Sequence, residues 1–198
     1  MKRTFYLSLL LLFLTTLTFI RVPFFDFVIL EDTTYLDTNP YFSKIHTSKV
    51  LELWKRPYLH YMPLTYSVWG TAVHFTERKP LDQIPKSRTG VLKEFRFHPF
   101  LFHSLSLVFH LASVFLIFWF LCFLTHHPVA SFLASLLFAI HPVQVESVAW
   151  VSGLKETMGG FFSILSLFLF LCSLSLLVER KGETYSLRLQ ICRFTRPL

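Results

Sequence analysis

Two groups of polar residues interrupt an otherwise apolar chain, and both carry side chains that can do chemistry. The first is Glu31-Asp32, followed by Leu36, Asn39 and Pro40. The second runs His141-Pro142-Val143-Gln144-Val145-Glu146-Ser147-Val148-Ala149-Trp150 and closes on Gly153-Leu154-Lys155-Glu156. Adjacent carboxylates can take a proton from a hydroxyl, one acting as general base while the other orients the acceptor or shares a metal. A lysine can neutralise a phosphate as a compact point charge. Ionisable groups beside hydrocarbon cost roughly 2.5–3.5 kcal/mol each on insertion scales, so their presence here points to a polar substrate handled at a membrane surface.

Each candidate also has a plain structural reading. Loop exits from a membrane are often acidic, and a histidine near a helix end can simply satisfy a neighbouring backbone group. Glu146 and Trp150 stand four apart and share a face wherever their helix continues, but a tryptophan there also fits an interfacial aromatic belt. His103 and His110, seven apart, fall on one face of a long apolar run. Two neutral histidines bonded to a neighbouring helix are the commoner outcome for such a pair. The chain has no His-x-x-x-His pair, no nucleophile elbow and no phosphate-cradling glycine loop. Gly159-Gly160 is expected to mark close helix packing.

The elements that must hold these residues are membrane helices. Of 198 residues 53% are hydrophobic and only 16% charged, with 24 phenylalanines. The mean hydropathy is +0.52. Those values exclude an ordinary soluble domain. The net charge of +7 comes from scattered basic residues interleaved with acidic ones, so no nucleic-acid partner is indicated. Cys122, Cys172 and Cys192 have neither redox nor metal-ligand spacing and read as small apolar residues.

The fold class is therefore all-α integral membrane, with about four transmembrane helices and a large extracytoplasmic first loop carrying short interfacial helices. Residues 1–25 form a retained signal-anchor helix, because Arg21-Val22-Pro23 stands where a cleavage site would. Residues 26–96 form the outer loop with the acidic motif, 97–178 hold three further helices, and 179–198 make a basic cytoplasmic tail. The uncharged runs Thr4–Ile20, Phe97–Thr125, Val129–Val145 and Thr157–Val178 can each cross ~30 Å of hydrocarbon, the third only just. Lys2 and Arg3 at one end and Arg180, Lys181, Arg188, Arg193 and Arg196 at the other place both termini in the cytoplasm. His126-His127-Pro128 is then a tight cytoplasmic turn, and both chemistry-bearing segments face outward. Within the loop, Ser48–Lys55 and Pro63–Phe75 read as short helices lying on the interface. The second would turn Leu64, Val68, Trp69 and Ala72 toward lipid. Residues 77–96 read as an exposed polar excursion. The lack of disulfide patterning and of an Asn-x-Ser/Thr acceptor (Asn39 precedes proline) suits a bacterial inner membrane.

Taken in order, these motifs resemble a known family. Glu31, Asp32, Leu36, Asn39 and Pro40 match its acidic loop motif, and Tyr61, Pro63, Leu64, Thr65 and Ser67 match a second. His103 and His110 match a third, and His141, Pro142 and Glu146 through Trp150 the most specific one. The chain is similar over residues 1–180 to the N-terminal membrane part of the transmembrane and tetratricopeptide-repeat O-mannosyltransferases and their bacterial relatives. The resemblance implies a lipid-phosphate-linked sugar as donor and a hydroxyl acceptor, a protein Ser or Thr. It implies Asp32 as catalytic base with Glu31 beside it, Lys155 and His141 on the donor phosphate, and Glu146, Trp150, His103 and His110 in support. It names no metal ligand set and leaves a divalent cation open as cofactor.

Three departures stand against the family pattern. Glu31 replaces an aspartate, Leu154 replaces an arginine before Lys155, and Ser106 replaces an asparagine between the two histidines. Family members also continue through further spans and helical repeats, so a truncated or split form is the expectation. The other reading is a non-catalytic membrane protein that packs against other membrane subunits or a missing C-terminal half. A channel or transporter lacks support, because no apolar run carries a charged residue in its middle.

Overall fold

The computed structural model describes residues 2–28, 31–37, 39–42, 52–56, 58–76 and 97–180. Among these residues the chain is helical and forms no strand. The α-helices are α1 (Lys2–Phe19), α2 (Pro63–Thr76), α3 (Pro99–Thr125), α4 (Pro128–Ile140), α5 (Gln144–Ala149) and α6 (Leu154–Arg180). Short turns at Val22–Phe24, Thr33–Asp37 and Pro40–Phe42 shape the segment after α1. Helices α2, α3 and α4 each open on proline, whose fixed φ suits a first helical position and whose missing N–H costs nothing there.

Three stretches are long and apolar enough to cross a membrane, namely Lys2–Phe24, Pro99–Thr125 and Leu154–Ser175. Their large apolar side chains are widely exposed, Phe13, Val108 and Phe170 at 62%, 59% and 62% among them, as lipid-facing residues would be. The expected crossing over 129–145 is not one helix of that length. Helix α4 has 13 residues, about 20 Å of rise against the ~30 Å of hydrocarbon. Pro142 is the cause. It forces the residue before it out of the helical region, and His141 is extended at φ −62° and ψ 135°.

The chain divides into two compact units. One contains Met1–Thr18, His110–Gln144 and Gly159–Leu198. Its core is Leu11, Val114, Phe118, Cys122, Phe132 and Ala139. Hydroxyls on its helices close onto their own backbone, Thr15 Oγ1 donating to the Leu11 carbonyl at 2.8 Å. His110 Nε2 meets the Ala139 carbonyl at 3.0 Å and ties α3 to α4. The expected turn at His126-His127-Pro128 is present, with His126 in the left-handed region at φ 57°. Its N–H donates to the Cys122 carbonyl and ends α3.

The other unit holds Phe19–Phe109 and Val145–Met158. Its core is aromatic: Phe27, Tyr35, Phe42, Tyr66, Trp69, Phe97 and Phe102 pack with Leu36, Leu53, Val151, Leu154 and Met158. Helix α2 exists as expected, but its apolar side is not turned to lipid. Thr65, Tyr66, Trp69, Gly70, Ala72 and Val73 are buried in this core, while Leu64 is 44% exposed. Gly159-Gly160 also departs from expectation, since a Cβ added at either would meet nothing within 4 Å. The polar excursion at 77–96 and the basic tail at 182–198, with Cys192, lie outside the described residues. Of the expected Ser48–Lys55 helix only residues from Glu52 on are described, and these form turns.

Candidate functional site

The second unit brings the two polar motifs together. The start of α6 is prepared by a turn after α5, in which Trp150 N–H donates to the Glu146 carbonyl and Gly153 N–H to the Trp150 carbonyl. The helical hydrogen-bond pattern thus runs one step past the end of α5, to Trp150. Gly153 has to be glycine, because a Cβ there would lie 2.5 Å from the Ser147 carbonyl oxygen. Its own carbonyl accepts the N–H groups of Glu156 and Thr157, which starts α6.

Asp32 is anchored to this turn. Its side chain is 1% exposed. One carboxylate oxygen, Oδ1, accepts the Ser152 N–H at 2.9 Å, and the other, Oδ2, accepts the Val28 N–H at 2.9 Å. Asp32 N–H in turn donates to the Val28 carbonyl at 3.2 Å, so the two residues bond reciprocally. A carboxylate near the first N–H groups of α6 is also on the favourable side of the helix dipole. Glu31 is exposed beside it, and its carbonyl accepts the N–H of Thr34 and Tyr35 to turn the loop. Further along, buried Asn39 donates from Nδ2 to the Tyr35 carbonyl and accepts Tyr41 N–H at its Oδ1. Asn39 thereby fixes the shape of the acidic loop rather than offering a side chain to a ligand.

Lys155 projects from the first turn of α6 over the Tyr35 ring, with Nζ 5.2 Å from the centroid. Its side chain stays 33% exposed, and Glu156 lies 3.5 Å away. Tyr35 leans in turn on Trp69, ring centroids 5.9 Å apart. The loop that carries Asp32 and the helix that carries Lys155 therefore share one aromatic contact. Behind Tyr35, Tyr66 donates its hydroxyl to the Tyr58 carbonyl at 2.6 Å. Burial, and then the neighbouring Tyr35 and Tyr58, push its phenol well above the ordinary range.

The remaining predicted residues are placed differently. His103 on α3 is fully buried in this unit, beside Phe27 at 6.1 Å between ring centroids. His110, on the same helix, belongs to the other unit and is bonded to Ala139. His141 also belongs to the other unit. It is exposed, and its Nδ1 accepts the Val143 N–H at 3.2 Å as a local cap. Glu146 is exposed and Trp150 half-buried. Among the described residues no group of three or more His, Cys, Asp or Glu is placed to hold a metal ion.

Tyr35 and Ser152 were not anticipated from the sequence. Tyr35 lies inside the acidic motif, three residues after Asp32, and an aromatic so close to a carboxylate pair is the one sequence signal for it that went unused. Ser152 contributes a backbone N–H, which leaves no trace in residue type.

Among the described residues the fold around the site is all-helical, with helices of membrane-crossing length and apolarity. Over 99 residues the chain is 36% identical to human Protein O-mannosyl-transferase TMTC3. That alignment covers 48% of this chain and 10% of the human protein. The chain thus matches about a tenth of the length of that relative, and the likeness supports a membrane glycosyltransferase-like protein. It does not support the expectation of a bacterial membrane, nor does it bear on which side the termini face. No family model matches the chain. No solved structure matches it either.

Proposed function

We propose that this chain forms part of a membrane glycosyltransferase that moves a sugar from a lipid-phosphate donor to the hydroxyl of a protein Ser or Thr. The observation that carries the reading is the meeting of the acidic loop and the α6 start through Asp32–Ser152 and Lys155–Tyr35. Asp32 is the base. A carboxylate has about four lone-pair positions, so the bonds to Val28 and Ser152 leave room for an acceptor hydroxyl. Glu31, exposed at its side, guides the acceptor. The hydroxyl oxygen bonds to the sugar's anomeric carbon, the bond from that carbon to the phosphate oxygen breaks, and the hydroxyl proton passes to Asp32. Lys155 offsets the charge on the departing lipid phosphate, and such charge stabilisation is commonly the largest contribution to catalysis. Glu146 and Trp150 are in support.

The reading includes a topology. Asp32 and Ser152 are bonded, so the chain between them returns to the membrane side it left. The positive-inside rule then puts the site outside and both termini in the cytoplasm.

The test is transfer from a polyprenyl-phosphate mannose to a Ser/Thr peptide by membranes containing the chain. Asp32→Asn is expected to lower the rate by about 10²–10⁴-fold, the usual worth of a positioned base. Undiminished transfer would falsify its role. The near-complete burial of Asp32 favours one second reading, in which Asp32 only clamps the turn and the chain is a non-catalytic membrane partner. Absence of transfer with full retention of fold would establish that one.

A further inference from the structure

Tyr35 is fixed from several sides. Its N–H donates to the Glu31 carbonyl at 3.1 Å, and its own carbonyl accepts from Asn39 Nδ2 at 3.2 Å. The ring is 8% exposed and leans on Trp69, 5.9 Å away, with His60 at 6.3 Å between centroids. Trp69 packs in turn on Tyr66 at 5.7 Å, and both of these are fully buried. This stack ends at the surface, where Lys155 Nζ stands 5.2 Å from the Tyr35 centroid.

Little else aims the lysine. Its charge sits on a flexible four-carbon stem, which loses rotamer freedom when it meets an anion. Glu156 lies 3.5 Å away, but its side chain is 50% exposed, and such solvated pairs are worth little. Leu154 is buried in the aromatic core, so the first turn, Leu154-Lys155-Glu156-Thr157, offers no second cation. An aromatic face attracts an ammonium through its quadrupole and carries no net charge. The ring therefore holds the ammonium while leaving its charge available to an anion. A carboxylate in the same place would neutralise it.

We infer that Tyr35 is a positioning residue for the lipid-phosphate donor: its ring restrains the Lys155 ammonium where the donor's phosphate binds. Less freedom is then lost on binding, which is how preorganisation raises affinity. The inference rests on the function proposed above, in which Lys155 meets that phosphate. Because Tyr35 stands three residues after Asp32, one loop sets both the base and the cation.

The experiment is equilibrium binding of polyprenyl-phosphate mannose to the full chain in detergent micelles. Lys155→Gln should weaken binding about tenfold or more, as loss of a hydrogen bond to a charged group does. Tyr35→Leu should weaken it about 2–5-fold, the range for a partly exposed cation over a ring. Tyr35→Phe keeps the ring and should match the native chain. In the Lys155→Gln background, Tyr35→Leu should cost nothing more. Native binding by Tyr35→Leu overturns the inference, as does an equal loss in Tyr35→Phe or in the Lys155→Gln background. Should Tyr35→Leu fail to fold, phenylalanines bearing successive ring fluorines at position 35 decide. They drain the negative face of the ring and keep its shape, so binding should fall stepwise. A flat series overturns the inference. Native binding by Lys155→Gln refutes the donor-phosphate reading and this inference with it. Loss there, with native binding by Tyr35→Leu, refutes this inference alone.

Discussion

Asp32 and Ser152, 120 positions apart in the chain, are joined by a buried hydrogen bond of 2.9 Å from the Ser152 N–H to Asp32 Oδ1. The contact fixes the acidic loop against the turn that opens α6. It also makes the carboxylate structural as well as a chemical candidate, because its other oxygen holds the Val28 N–H. Losing such a partner leaves a buried donor unsatisfied, at about 1–3 kcal/mol. Any loss of activity in an Asp32 variant has therefore to be read beside its stability.

Gly153→Ala should destabilise the chain by about 1–3 kcal/mol, the usual cost of forcing an extra carbon into a packed site. The added atom would meet the Ser147 backbone at 2.5 Å, and backbone cannot swing aside as a flexible side chain can. Gly159→Ala is the control. It meets nothing and should stabilise α6 by about 0.5–1 kcal/mol through the lower entropy of alanine. Thermal unfolding in detergent micelles compares the two, and equal effects would contradict the geometry.

The ammonium of Lys155 over Tyr35 predicts a measurable pairing. In a double-mutant cycle of Lys155→Met and Tyr35→Leu, the coupling should be about 0.5–1 kcal/mol, the range for a partly exposed cation over an aromatic ring. A coupling near zero would show that the cation–ring contact adds nothing to the core packing and the Asp32 bond that join the loop and the helix.

Tyr66 makes stability depend on alkaline pH. Its pKa in the folded chain lies above the unfolded value of about 10. A raised value means that the folded state favours the protonated phenol. The contribution is whole below pH about 10 and is lost as pH rises beyond it. Melting temperatures measured from pH 8 to 11 should fall at the upper end. Tyr66→Phe should flatten that fall while lowering stability at pH 8, since it forfeits the bond to the Tyr58 carbonyl.

Glu31 and Glu156 are both exposed and should lie on one side of the bilayer. With the native cysteines replaced, Glu31→Cys and Glu156→Cys should give the same response to a membrane-impermeant maleimide on intact cells. Labelling of one alone is incompatible with the bond between Asp32 and Ser152.

Much of the helical frame was legible because its causes are local. Uncharged runs gave α1, α3 and α6, and Pro63 marked where α2 starts. His126-His127-Pro128 gave the turn. The reach of the 129–145 run was not legible from hydropathy, since Pro142 ends α4 without changing the apolar count. The face of α2 shows a second limit. Periodicity identified a helix but could not say that protein rather than lipid covers Trp69 and Ala72. In the site, Asp32 and Lys155 stood out by residue type, whereas the role of Tyr35 depends on closure of the fold. His141 was grouped with them by sequence proximity, and the extended backbone at Pro142 leaves it capping its own turn.

The reach of the Asp32–Ser152 bond sets a timetable for biogenesis. A ribosome releases the acidic loop first, and more than a hundred further residues must emerge and insert before Ser152 can meet it. Until then the Asp32 carboxylate waits at the bilayer without its distant backbone donor. Completion of the centre thus becomes a late checkpoint, one that registers whether the later helices have entered the membrane correctly.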